Sequence, residues 1–537
     1  MSLEQNKLSN RTQDLVAQCK IVVYDWTTKA LTLSSGVDSE LAKTSALDVS
    51  SQILECSFSK TKGQPAGTFH FSLSNSPGYG SGDWKDLIKR GSWCLIYMSN
   101  AGDLQMTSRV GSPDPSAKKR EEAKKLRCIG FIDRVAVRAQ LNEKAGFDVT
   151  YEISGRDFGV VYEDTSIWHN VFKFDQIMLE SLAASQLNIT GATTIDAAMS
   201  LIHDLFFNPK AIPGSKPNDE GSLTSIALQW LMPRKMLQDL GVQVDSTPYW
   251  GETPGIKNFS ETDAQVAIEK PTDYLSGNAW DQLKKLSVPQ FHELFTETTD
   301  SGTPQLIFRP IPFAISKKNY PSIGKKIQFY KDLPAVTVDS LDVIDFSLGE
   351  DNHSRYNSFL ATVSTSLIGV EDNISLLDGS GFPKHVQDSV KRYGFRPMHV
   401  TVDSIVKNAE RSNGRGNPQI LREFNWLLYD YWNNVVFSES GEAQIFGQNA
   451  VKLGKCLKFS SSTPYVSGKR YYIEGYTDSY SMDERGAMVW TQSIMLTHGF
   501  EERDLKTGTN FGDRSVQFNH EGEFTPRGSS TNGKNSR

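Results

Sequence analysis

The sequence predicts a mixed α+β fold, mainly β, in which one antiparallel barrel-like module occurs twice. Three observations carry this expectation. Apolar and polar residues alternate with period two across residues 19–156, the same period returns at 340–364 and 456–499, and helical spacing is confined to the stretches between. The chain of 537 residues corresponds to three or four domains at about 150 residues each. With 38% hydrophobic and 22% charged residues, and 28 Phe, 18 Tyr and 10 Trp, it has ample material for cores, which excludes a disordered or collagenous chain.

The first region is clearest at Phe147-Asp148-Val149-Thr150-Tyr151-Glu152-Ile153-Ser154, where every odd position is apolar and every even one polar. That is a strand with one dry and one wet face. Residues 53–59 and 68–73 repeat the pattern across Gly63-Gln64-Pro65-Ala66-Gly67, as a hairpin does. Residues 93–98 and 128–137 add two strands, so a barrel or sandwich over 20–160 is expected after an N-terminal arm, 1–19. Within it, Pro113 and Pro115 break any strand and open a charged loop at 112–127. Lys118, Lys119, Arg120, Lys124, Lys125 and Arg127 there form a candidate inter-subunit contact. The competing reading is a solvated helical face with internal Glu–Lys pairs.

Residues 161–335 read as a mixed α/β domain. Helices are expected at 175–187, 194–207 and 222–240, loops at 208–221 and 247–258, and a short helix capped by Asn278 with Trp280, Leu283 and Leu286 inward. An extended stretch at 305–309 must end at Pro310-Ile311-Pro312. The second barrel is assigned to 336–365 and 440–500, with a helical insert at 366–439. There Asn417-Pro418 starts a helix whose Ile420, Phe424, Leu427, Leu428 and Tyr431 share one face. The polar stretch 501–537 is expected to be an arm or a disordered tail.

The two strand regions match in order. Phe58-Ser59 and Phe69-His70-Phe71 correspond to Phe346-Ser347 and Phe359-Leu360-Ala361. Residues 91–97 correspond to 454–459, Gly130-Phe131-Ile132-Asp133 to Gly475-Tyr476-Thr477-Asp478, and 153–155 to 496–499. A duplicated module gives one chain two equivalent surfaces, so that three copies surround an axis with six modules.

Function classes narrow in the same way. The balance of 57 Lys+Arg against 63 Asp+Glu gives −6, without the cationic excess that phosphate binding needs. No stretch has the apolar length of a membrane helix and the opening 19 residues lack a signal-peptide core, so folding in a cytoplasm is expected. Five Cys at wide, irregular spacings fit buried thiols better than a disulfide framework or a metal site. No HExxH, GxxxxGK(S/T), GxSxG or EF-hand loop occurs, so neither an enzyme nor a cofactor is expected. His292-Glu293 has the chemistry of a general base, but no partner nucleophile is evident beside it.

The chain resembles the baseplate hub proteins of contractile-tailed bacteriophages, relatives of the hub part of type VI secretion spikes. The resemblance rests on Gly67 through Asn75, Asp83-Trp84 to Tyr97, Cys128 through Asp133, Ile153 through Asp157, Phe308 through Phe313, Arg392-Tyr393-Gly394 and Tyr471 through Tyr480. It implies two tube-like barrels per chain and a homotrimer of pseudo-sixfold symmetry. The ring would join a hexameric tail tube protein to a trimeric central spike protein, with tape-measure and wedge or other baseplate proteins as further partners. DNA would only pass through the lumen, and the site of action would be the virion tail. No spike domain follows residue 499, so the spike would be a separate chain. The wet faces of the last strands give a candidate lumen lining: Asp148, Thr150 and Glu152 in one module, Thr491, Ser493 and Thr497 in the other. Two rival readings are a glycan-binding host-recognition protein using Tyr471, Tyr472 and Tyr480, and a hub-associated peptidoglycan hydrolase.

Overall fold

In the computed structural model the described residues are mainly 17–24, 46–74, 84–101, 122–141, 147–164, 277–313, 330–350, 356–362, 384–401 and 438–502. The helices expected at 175–187, 194–207 and 222–240, and the loops between and after them, lie almost wholly outside these residues.

The alternating segments are strands. The first module comprises β1 (Gln18–Tyr24), β2 (Ala46–Asp48), β3 (Ile53–Thr61), β4 (Thr68–Ser74), β5 (Trp93–Ser99), β6 (Leu126–Leu141) and β7 (Phe147–Asp157). Two short strands follow, β8 (Ser166–Ile167) paired with β9 (Gly277–Asn278). Asn278 then caps the expected helix, Ala279–Leu286: its side chain accepts from the Asp281 N–H at 2.7 Å, and Trp280 and Leu283 are buried. β10 (His292–Thr298) and β11 (Pro304–Pro310) form a hairpin.

The second module comprises β12 (Ala335–Val338), β13 (Val343–Glu350), β17 (Glu439–Phe446), β18 (Cys456–Phe459), β19 (Lys469–Met482) and β20 (Met488–Glu501). Between its early and late strands, β14 (Ser358–Thr362), β15 (Lys384–His385) and β16 (Pro397–Thr401) make a separate three-stranded sheet. Of the helix expected after Asn417-Pro418, Asn425, Leu428, Tyr429 and Tyr431 are described, helical and buried. In the polar C-terminal stretch, β21 (Val516–Phe518) pairs with β22 (Phe524–Pro526).

Both modules thread their strands in the same order. The first runs β3-β4-β7-β6-β5-β1 and the second β13-β17-β20-β19-β18-β12, each in the same chain sequence. One pairing differs in sense: β1 lies antiparallel to β5, whereas β12 lies parallel to β18. The sequence comparison named four of its strands rightly and one wrongly. The counterpart of β4 is β17, not the Phe359-Leu360-Ala361 strand, which leaves the large sheet for the small one. The registers also differ from the sequence match. Register shifts in the two long strands fall after Ile132 and after Ile473, which sets Gly130-Phe131-Ile132-Asp133 on Tyr471-Tyr472-Ile473-Glu474 rather than on Gly475 onward.

The expected pair of barrels is joined into one 13-stranded sheet, and among the described residues no ladder closes either module. The join is made by β19. Arg470, Tyr471 and Tyr472 pair with β18, and the strand then runs on to pair Gly475–Tyr480 with Thr61–Cys56 of β3. Phe58, Phe71, Ile132, Ile153, Ile473, Trp490, Ile494 and Leu496 belong to one continuous apolar core under both modules. All five cysteines are buried and unbridged.

Candidate functional site

Pleating dictates that residues two apart share a face, so fixing one inward residue per strand assigns the rest. Phe58, Phe71, Ile153, Tyr476, Ile494 and Ala443 point into the core. The opposite face therefore presents Ser57 and Ser59 on β3, His70 on β4, Thr150, Glu152, Ser154 and Arg156 on β7, Thr477 and Ser479 on β19, Thr491, Ser493 and Met495 on β20, and Glu442 and Gln444 on β17. It is a continuous, hydroxyl-rich surface crossing the module junction, where the Thr477 hydroxyl donates to the Ser59 hydroxyl at 3.0 Å. Its charges are mixed. Glu55, Glu152, Asp345 and Glu442 stand against Arg134, Arg138 and Arg156, and Arg156 is itself held by Asp133 in a bidentate pair at 2.9 and 3.1 Å. Such a face lacks the basic stripe that would hold a polyanion.

The structure places the candidate lumen residues as follows. Thr150 and Thr491 take equivalent positions in the two modules, and so do Glu152 and Ser493, because Ile153 corresponds to Ile494. Glu152 pairs with Arg138 at 3.4 Å, Ser493 donates to Glu442, and Thr497 donates to Glu474 at 3.4 Å. Asp148 lies on β7, but its side chain is outside the described residues.

The loop set divides. Lys118, Lys119 and Arg120 lie outside the described residues, Lys124 is exposed and Lys125 half-buried at the turn before β6. Arg127 is not on the loop: it sits in β6, 2% exposed, with its charge spent inside the chain. Its Nε meets Asp478 at 2.8 Å and its Nη1 donates to the carbonyls of Val451 at 2.9 Å and Asn449 at 3.2 Å. Asp478 also accepts from Trp490 at 3.0 Å and Gln492 at 2.7 Å, so one carboxylate ties both modules together.

Sequence reasoning did not find a second polar knot, where the β10–β11 hairpin docks. Glu293 receives Lys62 at 2.9 Å, Arg309 at 2.7 Å and the Tyr472 hydroxyl at 2.6 Å, and Lys62 also reaches Glu474 at 2.9 Å. Burial pushes the Glu293 carboxyl up, but Lys62 and Arg309 outweigh it and hold it down at about 2. Beside it, His498 stacks on Phe313 at 3.7 Å, and burial, with the Lys62 charge, drives its imidazole down to about 3. Burial likewise drives His292 down to about 3. The His292-Glu293 pair is thus enclosed in packing by the described residues: the two are 4% and 3% exposed. Tyr471, Tyr472 and Tyr480 are 0%, 0% and 7% exposed, which removes the aromatic platform on which the glycan reading stood. Among the described residues no cluster of His, Cys, Asp or Glu is placed to hold a metal ion, and no helix is long and apolar enough to cross a membrane.

No family model matches the chain, and no curated protein does. The solved structures to which the chain is similar include two tail proteins and a PdpA-VgrG complex. The 43 kDa tail protein of prophage MuSo2 from Shewanella oneidensis is 11% identical, with 90% of this chain and 98% of that chain covered and a TM-score of 0.39. A tail protein from Neisseria meningitidis MC58 is 13% identical, covering 90% of this chain and 96% of that one at a TM-score of 0.40. The half-lidded Francisella PdpA-VgrG complex gives 8% identity, 92% and 61% coverage and a TM-score of 0.36.

Proposed function

We propose that the chain is a non-enzymatic structural hub of a contractile phage tail baseplate. Three copies form a pseudo-sixfold ring that receives the hexameric tail tube on one face and the trimeric spike on the other, and the polar sheet face lines the DNA channel. One observation carries the reading: a single strand order occurs twice in the chain and the two copies meet edge to edge in one sheet, as successive members of a ring would. The hydroxyl-rich face with paired charges supports the channel assignment, because a polyanion slides where counter-charges are absent or already satisfied. The domain bounds read from the sequence, with 20–160 as one ring unit and 336–365 with 440–500 as the other, belong to this proposal, as do tape-measure and wedge contacts on the outside and action in the virion tail.

The test is the solution mass of the purified chain together with negative-stain imaging. The expected result is a species of three copies with a central hole that co-purifies with tube and spike proteins. A compact monomer without a hole in the presence of both partners would overturn it.

A further inference from the structure

Two strand edges carry no ladder among the described residues, and the molecule contains the template for what pairs with them. β6 is the counterpart of β19. It gives Leu126–Phe131 to β5, as β19 gives residues 470–472 to β18. β19 then takes β3 with its next residues, whereas β6, past the bonds of Ile132 to Gly91 and Ser92, takes nothing on that edge. β13, the counterpart of β3, pairs with β17 on one edge and with nothing on the other.

The ladders fix the equivalence residue by residue. Aligning the two register shifts sets Val135 on Tyr476; their partners across β7 and β20 are Ile153 and Ile494, theirs are Phe71 and Ala443, and theirs are Cys56 and Phe346. At the internal junction the core-side residues Cys56, Phe58, Lys60, Tyr476, Asp478 and Tyr480 are all 7% exposed or less. Their counterparts are less covered: Val137 is 46% exposed, Ala139 is exposed, and Val135, Phe346 and Leu348 are half-buried. An apolar row beside an unpaired edge is what a soluble chain avoids unless another strand covers it. The charges are complementary. Arg134 and Arg138 are exposed on the polar side of β6, while β13 carries Asp345 on that same side; in the lone chain Arg138 turns back to Glu152, and Asp345 accepts from the Phe346 N–H at 2.8 Å.

We infer that a second copy of this chain adds its β13 antiparallel to residues 134–139 of β6, in the register of the internal junction. Val135 then stands opposite the partner's Glu350, Ala136 opposite the partner's Gly349, Val137 opposite the partner's Leu348 and Ala139 opposite the partner's Phe346. This names the contact within the ring reading, on which it rests. Each copy offers one β6 edge and one β13 edge, so the pairing is head to tail and propagates until it closes.

Ala136 and Gly349 lie on the polar face, and opposed positions of an antiparallel pair are within disulfide reach. The chain carrying Ala136→Cys with Gly349→Cys, oxidised with copper phenanthroline, is expected to give reducible covalent oligomers ending at three copies, while the native cysteines stay buried. Ala136→Cys with Asp345→Cys, which is out of register, and each single variant are expected to give none. Val137→Glu, which sets a carboxylate against the partner's Leu348 and Glu350, is expected to weaken association about tenfold or more without changing the circular dichroism spectrum. If the unsubstituted chain forms the three-copy ring but the in-register pair does not cross-link, this inference falls and the ring stands. If the chain is monomeric at the cross-linking concentration and nothing cross-links, both fall.

Discussion

Arg127 brings a full charge into the space between the modules, and its cost is offset only because Asp478 and two backbone carbonyls meet it there. With side chains 1% and 0% exposed, removing either partner leaves an uncompensated buried charge. Arg127→Met is expected to lower stability by about 3–5 kcal/mol in urea denaturation, and adding Asp478→Leu should restore part of that loss. A second residue-scale expectation concerns acid. His292 and His498 are held near 3 against an ordinary value of 6.5, so each favours the folded state above 6.5 and loses that contribution as pH falls toward 3. Glu293, held at about 2 against 4.5, acts in the same direction lower down, from 4.5 toward 2. Between about pH 6 and 4.5, stability should drop by about 1.4 kcal/mol per pH unit for each histidine. His498→Asn tolerates the left-handed backbone at φ 53 and should remove one histidine's share of that slope, as read from melting temperature against pH.

At the scale of elements, β13 depends on one glycine in its neighbour. Gly441 has φ 151, and a Cβ there would lie 1.9 Å from the Ser347 carbonyl oxygen. Gly441→Ala should therefore pry β13 from β17, costing about 2 kcal/mol or more and raising hydrogen exchange across 343–350 while β3 and β4 stay protected. The elements were largely legible in the sequence where one face of a strand is dry: the alternation at 147–154 is β7, and the hairpin at 53–73 is β3 and β4. Alternation does not encode which strand is the neighbour. Phe359-Leu360-Ala361 has the pattern of a sheet strand, yet it pairs in parallel with β16, and the true counterpart of β4 is the Gly- and Glu-bearing β17. Register was hidden for the same reason, since Gly130 and Gly475 are alike in sequence but lie on different sides of the register shifts that align the ladders. The polar knots were illegible because Glu293 is 179 residues from Tyr472, and Arg127 is 351 from Asp478. Thr150 and Thr491 were legible as wet-face residues, and it took the ladders to reveal that they are equivalent.

For the whole molecule the question is whether the sheet face is built to let a polyanion pass. Six modules around an axis would multiply every lining residue, so a small imbalance of charge per module becomes a large field in the lumen. On this face the bases are matched by acids, and Arg156 is already locked to Asp133, which leaves little for phosphate to displace. The unsubstituted assembly should therefore not retain duplex DNA at about 0.1 M salt, where non-specific binders still hold it through released counterions. Thr150→Lys with Thr491→Lys places one ammonium at the same point of each module, which would be six in the proposed ring. Retention should appear at low salt, with a log–log salt slope steepened by about 0.9 for each lysine that contacts phosphate. Lysine at Ser462, an exposed turn position outside the strands that form the face, is the control and should add little. If the control retained DNA as strongly as the face variant, the sheet face would have no special access to the duplex, and the channel would have to be lined by other residues.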